Sequence, residues 1–215
     1  MNEAISQFIN GILVVQTKTE NSTKTVRYID SSRGLILDVL EQTADKKIFT
    51  KYESNGIQPK TIEISTKNET ILYQKDAKTP ISITKTTDDN IIENTTFRLD
   101  GKTIEKIKTE TPQGTTQTIY YNEDGLTPLK LIETDIDGLS KTTFYDAYGK
   151  GITSTQEDMA DGSILKTFYR LDGTVEKKQQ SHIKGFKKNQ IRQNFFDKSG
   201  KNKISIEDVF LISDN

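Results

Sequence analysis

An aromatic residue recurs along this chain at a nearly constant interval, and that repeat restricts the fold more than any other feature of the sequence. It falls at Tyr28, Tyr52, Tyr73, Phe97, Tyr121, Tyr145, Tyr169 and Phe196, with spacings of 24, 21, 24, 24, 24, 24 and 27. Four residues later stands a glycine in six of the eight cases: Gly56, Gly101, Gly125, Gly149, Gly173 and Gly200, with Ser32 and Ala77 in the other two. A second glycine marks the middle of later units at Gly114, Gly138, Gly162 and Gly185, where Asp45, Glu69 and Asn90 stand earlier. Two turn signals per unit divide each unit into two segments.

The turn residues say what those segments are. Asp-Gly pairs at Asp100-Gly101, Asp124-Gly125, Asp137-Gly138, Asp161-Gly162 and Asp172-Gly173 are the pairs that type I′ turns favour, because both central residues of that turn need positive φ. Between them lie roughly 8–10 residues, the length of one strand. Each unit is therefore expected to be a β-hairpin, and the chain an all-β, elongated array of antiparallel hairpins with about 16–18 strands, single-layer or rolled. No stretch carries apolar residues at i, i+3, i+4 and i+7; only Glu3 to Asn10 is left as a short helical turn. The expected organisation is an N-terminal cap over 1–27, the array over 28–200, whose first units are irregular near Ser31 to Gly34, and a C-terminal capping strand over 201–215.

Doublets such as Tyr120-Tyr121, Phe144-Tyr145, Phe168-Tyr169 and Phe195-Phe196 put one aromatic on each side of a strand, since neighbouring residues point to opposite faces. Each face then carries a stripe with one ring every second strand, about 9.6 Å apart. Cross-strand packing accounts for such a stripe, and so does a surface on which a ligand stacks.

Composition supports a thin-cored β protein. Only 32% of the 215 residues are hydrophobic, mean hydropathy is -0.65, and 29 Thr and 26 Ile supply β-branched strand formers. With no cysteine, disulfide scaffolds and zinc–thiolate sites are excluded. The 30 basic and 31 acidic side chains leave a net charge of -1 spread along the chain, which predicts no nucleic-acid partner and no membrane insertion. No signal peptide is evident near Met1, so a cytoplasmic location is the default, and an extracellular or cell-surface one follows if a leader was removed.

Candidate chemistry is sparse. His182 is the only histidine and lacks the usual partners of a nucleophile–base pair. Glu133, Asp135, Asp137 and Gly138 echo the start of a calcium loop, but Phe144 stands where the bidentate glutamate belongs, and Asp137-Gly138 coincides with a repeat turn. Asp88-Asp89-Asn90 falls at the same register. No phosphate-cradling glycine motif occurs. No catalytic residue, metal site or cofactor is expected. The candidate interaction surface consists of Tyr121, Tyr145 and Tyr169 with the basic run Lys184, Phe186, Lys187, Lys188 and Arg192; such a run equally serves as a solvated edge that discourages aggregation.

The string Tyr145-Asp146-Ala147-Tyr148-Gly149-Lys150-Gly151-Ile152-Thr153 resembles the YD repeats of RHS-type proteins, which form β-sheet shells around polymorphic toxins. His182-Ile183-Lys184-Gly185 with Asn194-Phe195-Phe196-Asp197-Lys198-Ser199-Gly200-Lys201 is similar to MORN-variant repeats, whose bacterial members include toxin-neutralising antitoxins. Thr118 to Gly125 also resembles an uncharacterised repeat family of phytoplasma-type bacteria. Repetition without a unique polar constellation points to a non-enzymatic scaffold that binds another protein or presents a surface, and the resemblances imply a bacterial one. An antitoxin that neutralises a cognate toxin is the alternative, and a hydrolase or transferase with a site at an irregular junction, near His182 or between Ser31 and Tyr52, is the third reading.

Overall fold

In the computed structural model the described residues are 3–18, 23–181, 190–197, 199 and 201–210. They form antiparallel strands joined by loops, with no helix. The chain divides into two compact units, 1–104 and 105–215. The first holds β1 (Glu3–Ile9), β2 (Ile12–Lys18), β3 (Lys24–Asp30), β4 (Leu35–Gln42), β5 (Lys47–Tyr52), β6 (Pro59–Ser65), β7 (Glu69–Gln74), β8 (Pro80–Thr86) and β9 (Ile92–Phe97). The second is built from β10 (Ile104–Glu110), β11 (Thr116–Tyr121), β12 (Pro128–Thr134), β13 (Ser140–Tyr145), β14 (Ile152–Asp158), β15 (Ile164–Tyr169), β16 (Val175–Ser181), β17 (Gln190–Phe196) and β18 (Lys203–Phe210). Within each unit every strand pairs with its neighbour in sequence: β1 to β9 in the first and β10 to β18 in the second.

Glu3 to Ile9, expected as a helical turn, is strand β1. Asn10 and Gly11 both have positive φ, 47° and 80°, which is the two-residue turn geometry that folds β1 back onto β2 with Ile9 opposite Ile12. Other Asp-Gly pairs depart from that expectation. Their glycines have positive φ and the preceding Asp does not. Gly101 N–H donates to the Arg98 carbonyl at 2.9 Å, and Arg98 N–H to Thr103 O at 2.8 Å, closing a six-residue loop. The aspartate works through its side chain: Asp100 Oδ1 accepts from the Lys102 and Thr103 amides, both at 2.9 Å. Longer loops leave shorter strands, so these run 6–8 residues.

A register shift recurs near the aromatic end of the hairpins, at Lys51/Tyr52, Leu72/Tyr73, Tyr120/Tyr121, Phe144/Tyr145, Phe168/Tyr169 and Phe195/Phe196. One residue of the partner strand is left over, Leu129 for example, so each of these hairpins carries a β-bulge beside its loop, whereas β1–β2 pairs without a shift. Pro59, Pro80 and Pro128 open their strands at this bulge, where the missing N–H is tolerated. In the first hairpins the shift falls at Tyr28/Ile29, so Ile29 holds the position that Tyr52 and Tyr73 hold later, and Tyr28 lies one residue before it. The irregularity expected near Ser31 to Gly34 is thus the common bulge displaced by one residue.

Few side chains are fully covered. Val14 and Val26 are the buried hydrophobic residues among those described. Elsewhere packing is lateral, as in the half-buried ladder Ile48, Ile64, Ile71, Ile83 across β5 to β8, where each cross-strand pair contributes about 0.2–1 kcal/mol.

Candidate functional site

Residues directly opposed in an antiparallel pair share a face. Across β10 to β13 of the second unit one row therefore reads Lys106, Tyr120, Lys130, Phe144. It continues over β14 to β17 as Ser154, Phe168, Lys177, Phe195. The adjacent row on the same face carries Lys108, Thr118, Ile132 and Thr142, then Gln156, Lys166, Gln179 and Gln193. These sixteen positions hold five lysines, four aromatic rings and no carboxylate, although the whole chain is balanced at -1.

Three of the lysines lie against the rings, and Lys108 pairs with Glu110 on the same face at 3.1 Å. Lys130 Nζ is 4.5 Å and Lys106 Nζ 5.9 Å from the Tyr120 ring centroid, so Tyr120 is flanked by two cations. Lys177 Nζ is 4.8 Å from the Phe168 centroid. Both distances under 5 Å fall well inside the range over which a ring quadrupole attracts an ammonium. Phe144, 37% exposed, stands between Lys130 and Ser154 without such a cover. The face thus combines positive charge, ring surface and Gln, Ser and Thr hydrogen-bonding groups.

The opposite face of the same strands is different. Thr143, Thr155 and Thr167 form a ladder only 6%, 4% and 5% exposed. Beside it charges alternate and pair: Lys141 Nζ lies 3.2 Å from Glu157 Oε1, and Gln117 Nε2 donates to Glu133 Oε1 at 3.3 Å. Tyr121, Tyr145 and Tyr169 alternate onto this face and are half-buried. Arg192 is also on it, opposite Gln180 and Asp208. The structure therefore brings Tyr121, Tyr145, Tyr169 and Arg192 to one side of the sheet. Lys184, Phe186, Lys187 and Lys188 lie outside the described residues, as does His182.

Sequence reasoning missed Lys106, Lys130 and Lys177, and treated Tyr120, Phe144, Phe168 and Phe195 only as doublet partners. Their signal was the pairing register. Counting outward from the loop without a bulge, Tyr120 would oppose Leu129 and Phe168 would oppose Glu176; the bulge substitutes Lys130 and Lys177.

The bulged loops carry carboxylates committed to structure. The Asp76 and Asp100 carboxyls are lowered to about 2, each chiefly by the hydroxyl of the threonine three residues on and then by backbone amides. Asp30 is lowered to about 2 by Ser32 and Arg33, and Asp197 to about 2 by Ser199 and Asn202. Asp124 is lowered by Thr127 and its amide. In the calcium-like string, Asp135 Oδ1 accepts from the Asp137 and Leu139 amides at 3.0 and 2.9 Å, closing the loop, while Glu133 belongs to β12. Arg170, also unforeseen, ties its own loop to the neighbouring hairpin: its Nη1 donates to Val175 O at 2.7 Å in its own hairpin and to Asp197 O at 2.9 Å in the next, and its Nη2 to Phe196 O at 2.8 Å.

No protein-family model matches the chain, and no curated protein matches it. Among solved structures it is similar to the crystal structure of TcdB2-TccC3, with 12% identity and a TM-score of 0.18, covering 95% of this chain and 16% of that one. It is likewise similar to a porin-like protein from Bacteroides uniformis, with 12% identity and a TM-score of 0.18, covering 98% of this chain and 95% of the other. The chain thus spans 16% of the length of the first of these. A repeating β-hairpin array fits the architecture that the sequence resemblances imply.

Proposed function

We propose that this chain is a non-enzymatic repeat scaffold whose second unit presents the lysine–aromatic face to another protein. The observation that carries this reading is the row from Lys106 to Phe195, where lysine or serine alternates with an aromatic ring at every strand. A catalytic site needs one converging constellation, whereas a repeated pair of side chains makes an extended surface. Aromatic side chains are also enriched at protein interfaces. The aspartates of the loops support the same reading, since their oxygens already accept amide and hydroxyl protons and serve the scaffold.

The test is site-specific photo-crosslinking in the native cell. A photoreactive residue replacing Phe144 is expected to give one discrete cross-linked protein, and the same residue replacing Lys141 on the opposite face none. Cross-links from position 141 alone, or from neither position, would overturn the proposal.

A further inference from the structure

The partner's chemistry can be narrowed, on the premise that the lysine–aromatic face binds protein. We infer that this face takes an acidic polyproline-type segment laid across the strands of the second unit, with a carboxylate at every third residue. The charge requirement comes first. Five lysines and no carboxylate occupy the two rows from β10 to β17; the next row of that face adds Asp158 and Glu110, the latter paired with Lys108 at 3.1 Å, and the remaining excess of lysine favours an anionic ligand and repels a basic one.

Spacing then selects the ligand's conformation. Rings at Tyr120, Phe144, Phe168 and Phe195 sit on every second strand, a period of about 9.6 Å. Lys106, Lys130 and Lys177 stand on the strands between them, with Ser154 filling the remaining place. A polyproline II helix turns once in three residues and rises about 9.3 Å in doing so. It returns the same side chain to the same side within about 0.3 Å of the protein's period. A β-strand repeats its face about every 6.7 Å, and an α-helix only about every 5.4 Å; neither divides the ring spacing. Eight strands span about 34 Å between the first and last, which four triplets of about 37 Å cover. Prolines pack on the uncovered Phe144 ring and along the lysine stems over Tyr120 and Phe168, while glutamates meet the ammonium groups and the Gln156, Gln179 and Gln193 amides lie beside them. A single-stranded nucleic acid, with an anion at every nucleotide, has a closer charge spacing than this face offers.

The experiment uses the full chain and a synthetic twelve-residue peptide of four Pro-Pro-Glu triplets, titrated by fluorescence anisotropy at low salt. Binding is expected to exceed that of Pro-Pro-Gln and Gly-Gly-Glu peptides of equal length by tenfold or more. The double substitution Lys130→Gln and Lys177→Gln is expected to weaken it at least tenfold, and Lys141→Gln on the opposite face to leave it unchanged. Phe144→Ser gives an independent reading through ring loss, and raising the salt should weaken the peptide on the unsubstituted chain, where folding is not in question. Equal affinity for Gly-Gly-Glu, or equally tight lysine-dependent binding of a sulfated glycan or single-stranded DNA, would overturn the inference. Neither result touches the cross-linking at position 144, so failure here is distinguishable from failure of the protein-binding reading itself.

Discussion

The repeated hairpins of this protein have a bulged end and a plain end, and glycine does different work at each. At the bulged end loops stack on one another. A Cβ added to Gly101 would lie 2.5 Å from Thr79 Cγ2 and 2.9 Å from Pro80 Cδ, and one on Gly149 would lie 2.6 Å from Pro128 Cδ. At the plain end, Gly114, Gly138 and Gly162 have positive φ but nothing within 4 Å of such a Cβ. Glycine is needed at the plain end for its dihedral alone, and at Gly56, Gly101 and Gly149 of the bulged end for its size as well, whereas Gly173, in the β15–β16 loop, has nothing within 4 Å of such a Cβ. A repeat array holds together through contacts between neighbouring units, and here one end of the hairpins supplies more of them than the other.

Alanine substitutions break this comparison most directly. Gly101→Ala meets both the left-handed backbone, roughly 1–2 kcal/mol, and overpacking against Thr79 and Pro80, about 1–3 kcal/mol. A loss of about 3 kcal/mol in denaturant titration is expected, against about 1 kcal/mol for Gly138→Ala, where only the dihedral is strained. Ala77 already carries a methyl at the bulged-loop position with φ of 56°, so the loop conformation itself admits alanine and the excess at Gly101 measures the contact. Equal losses at the two sites would show that the stacked end is no tighter than the other.

The next effect concerns what ties one bulged loop to the next. Gln74 Nε2 reaches Leu99 O at 2.9 Å in the first unit, and Arg170 reaches the Phe196 and Asp197 carbonyls in the second. Arg170→Met keeps the stem and removes the fork, stranding three part-buried carbonyls; a loss of about 2 kcal/mol is expected in the same titration. Arg170→Lys should recover only part of it, because a single ammonium cannot span the divergent acceptors held by Nη1 and Nη2.

Much of this was legible in the sequence, because the signals for strands and turns are local. The glycines located the loops, whereas the bulges beside the aromatic residues, apart from the irregularity expected near Ser31 to Gly34, appear only in the pairing. What could not be read depended on register. Asp-Gly serves both a two-residue turn and the longer loops found here, so the letters did not choose between them. Tyr28 and Ile29 are both good strand residues, and only the pairing of Ile29 with Ile36 shows which one occupies the repeat position. The lysine row was hidden for the same reason: a one-residue bulge moves Lys130 and Lys177 onto the aromatic face and sets Leu129 and Glu176 aside. Net charge, being a sum over both faces, carried no trace of that asymmetry.

The smallest effect at neutral pH, and a distinct one in acid, belongs to the aspartates of the bulged loops. Asp30, Asp76, Asp100 and Asp197 have carboxyls held at about 2 in the fold against an ordinary 3.8. A group depressed on folding contributes stability above its unfolded value and loses that contribution as pH falls through its folded one. Stability is therefore expected to decline between about pH 4 and pH 2, read by circular dichroism at a fixed denaturant concentration. Asn55 already closes an equivalent loop with its side-chain oxygen, accepting from the Ile57 and Gln58 amides at 3.0 and 3.2 Å. Substituting Asn for Asp76 and Asp100 together should therefore keep the loops closed, remove the charge-dependent part of their stability at pH 7 and flatten the acid decline. An unaltered acid slope in that variant would show that Asp76 and Asp100 do not carry the acid decline.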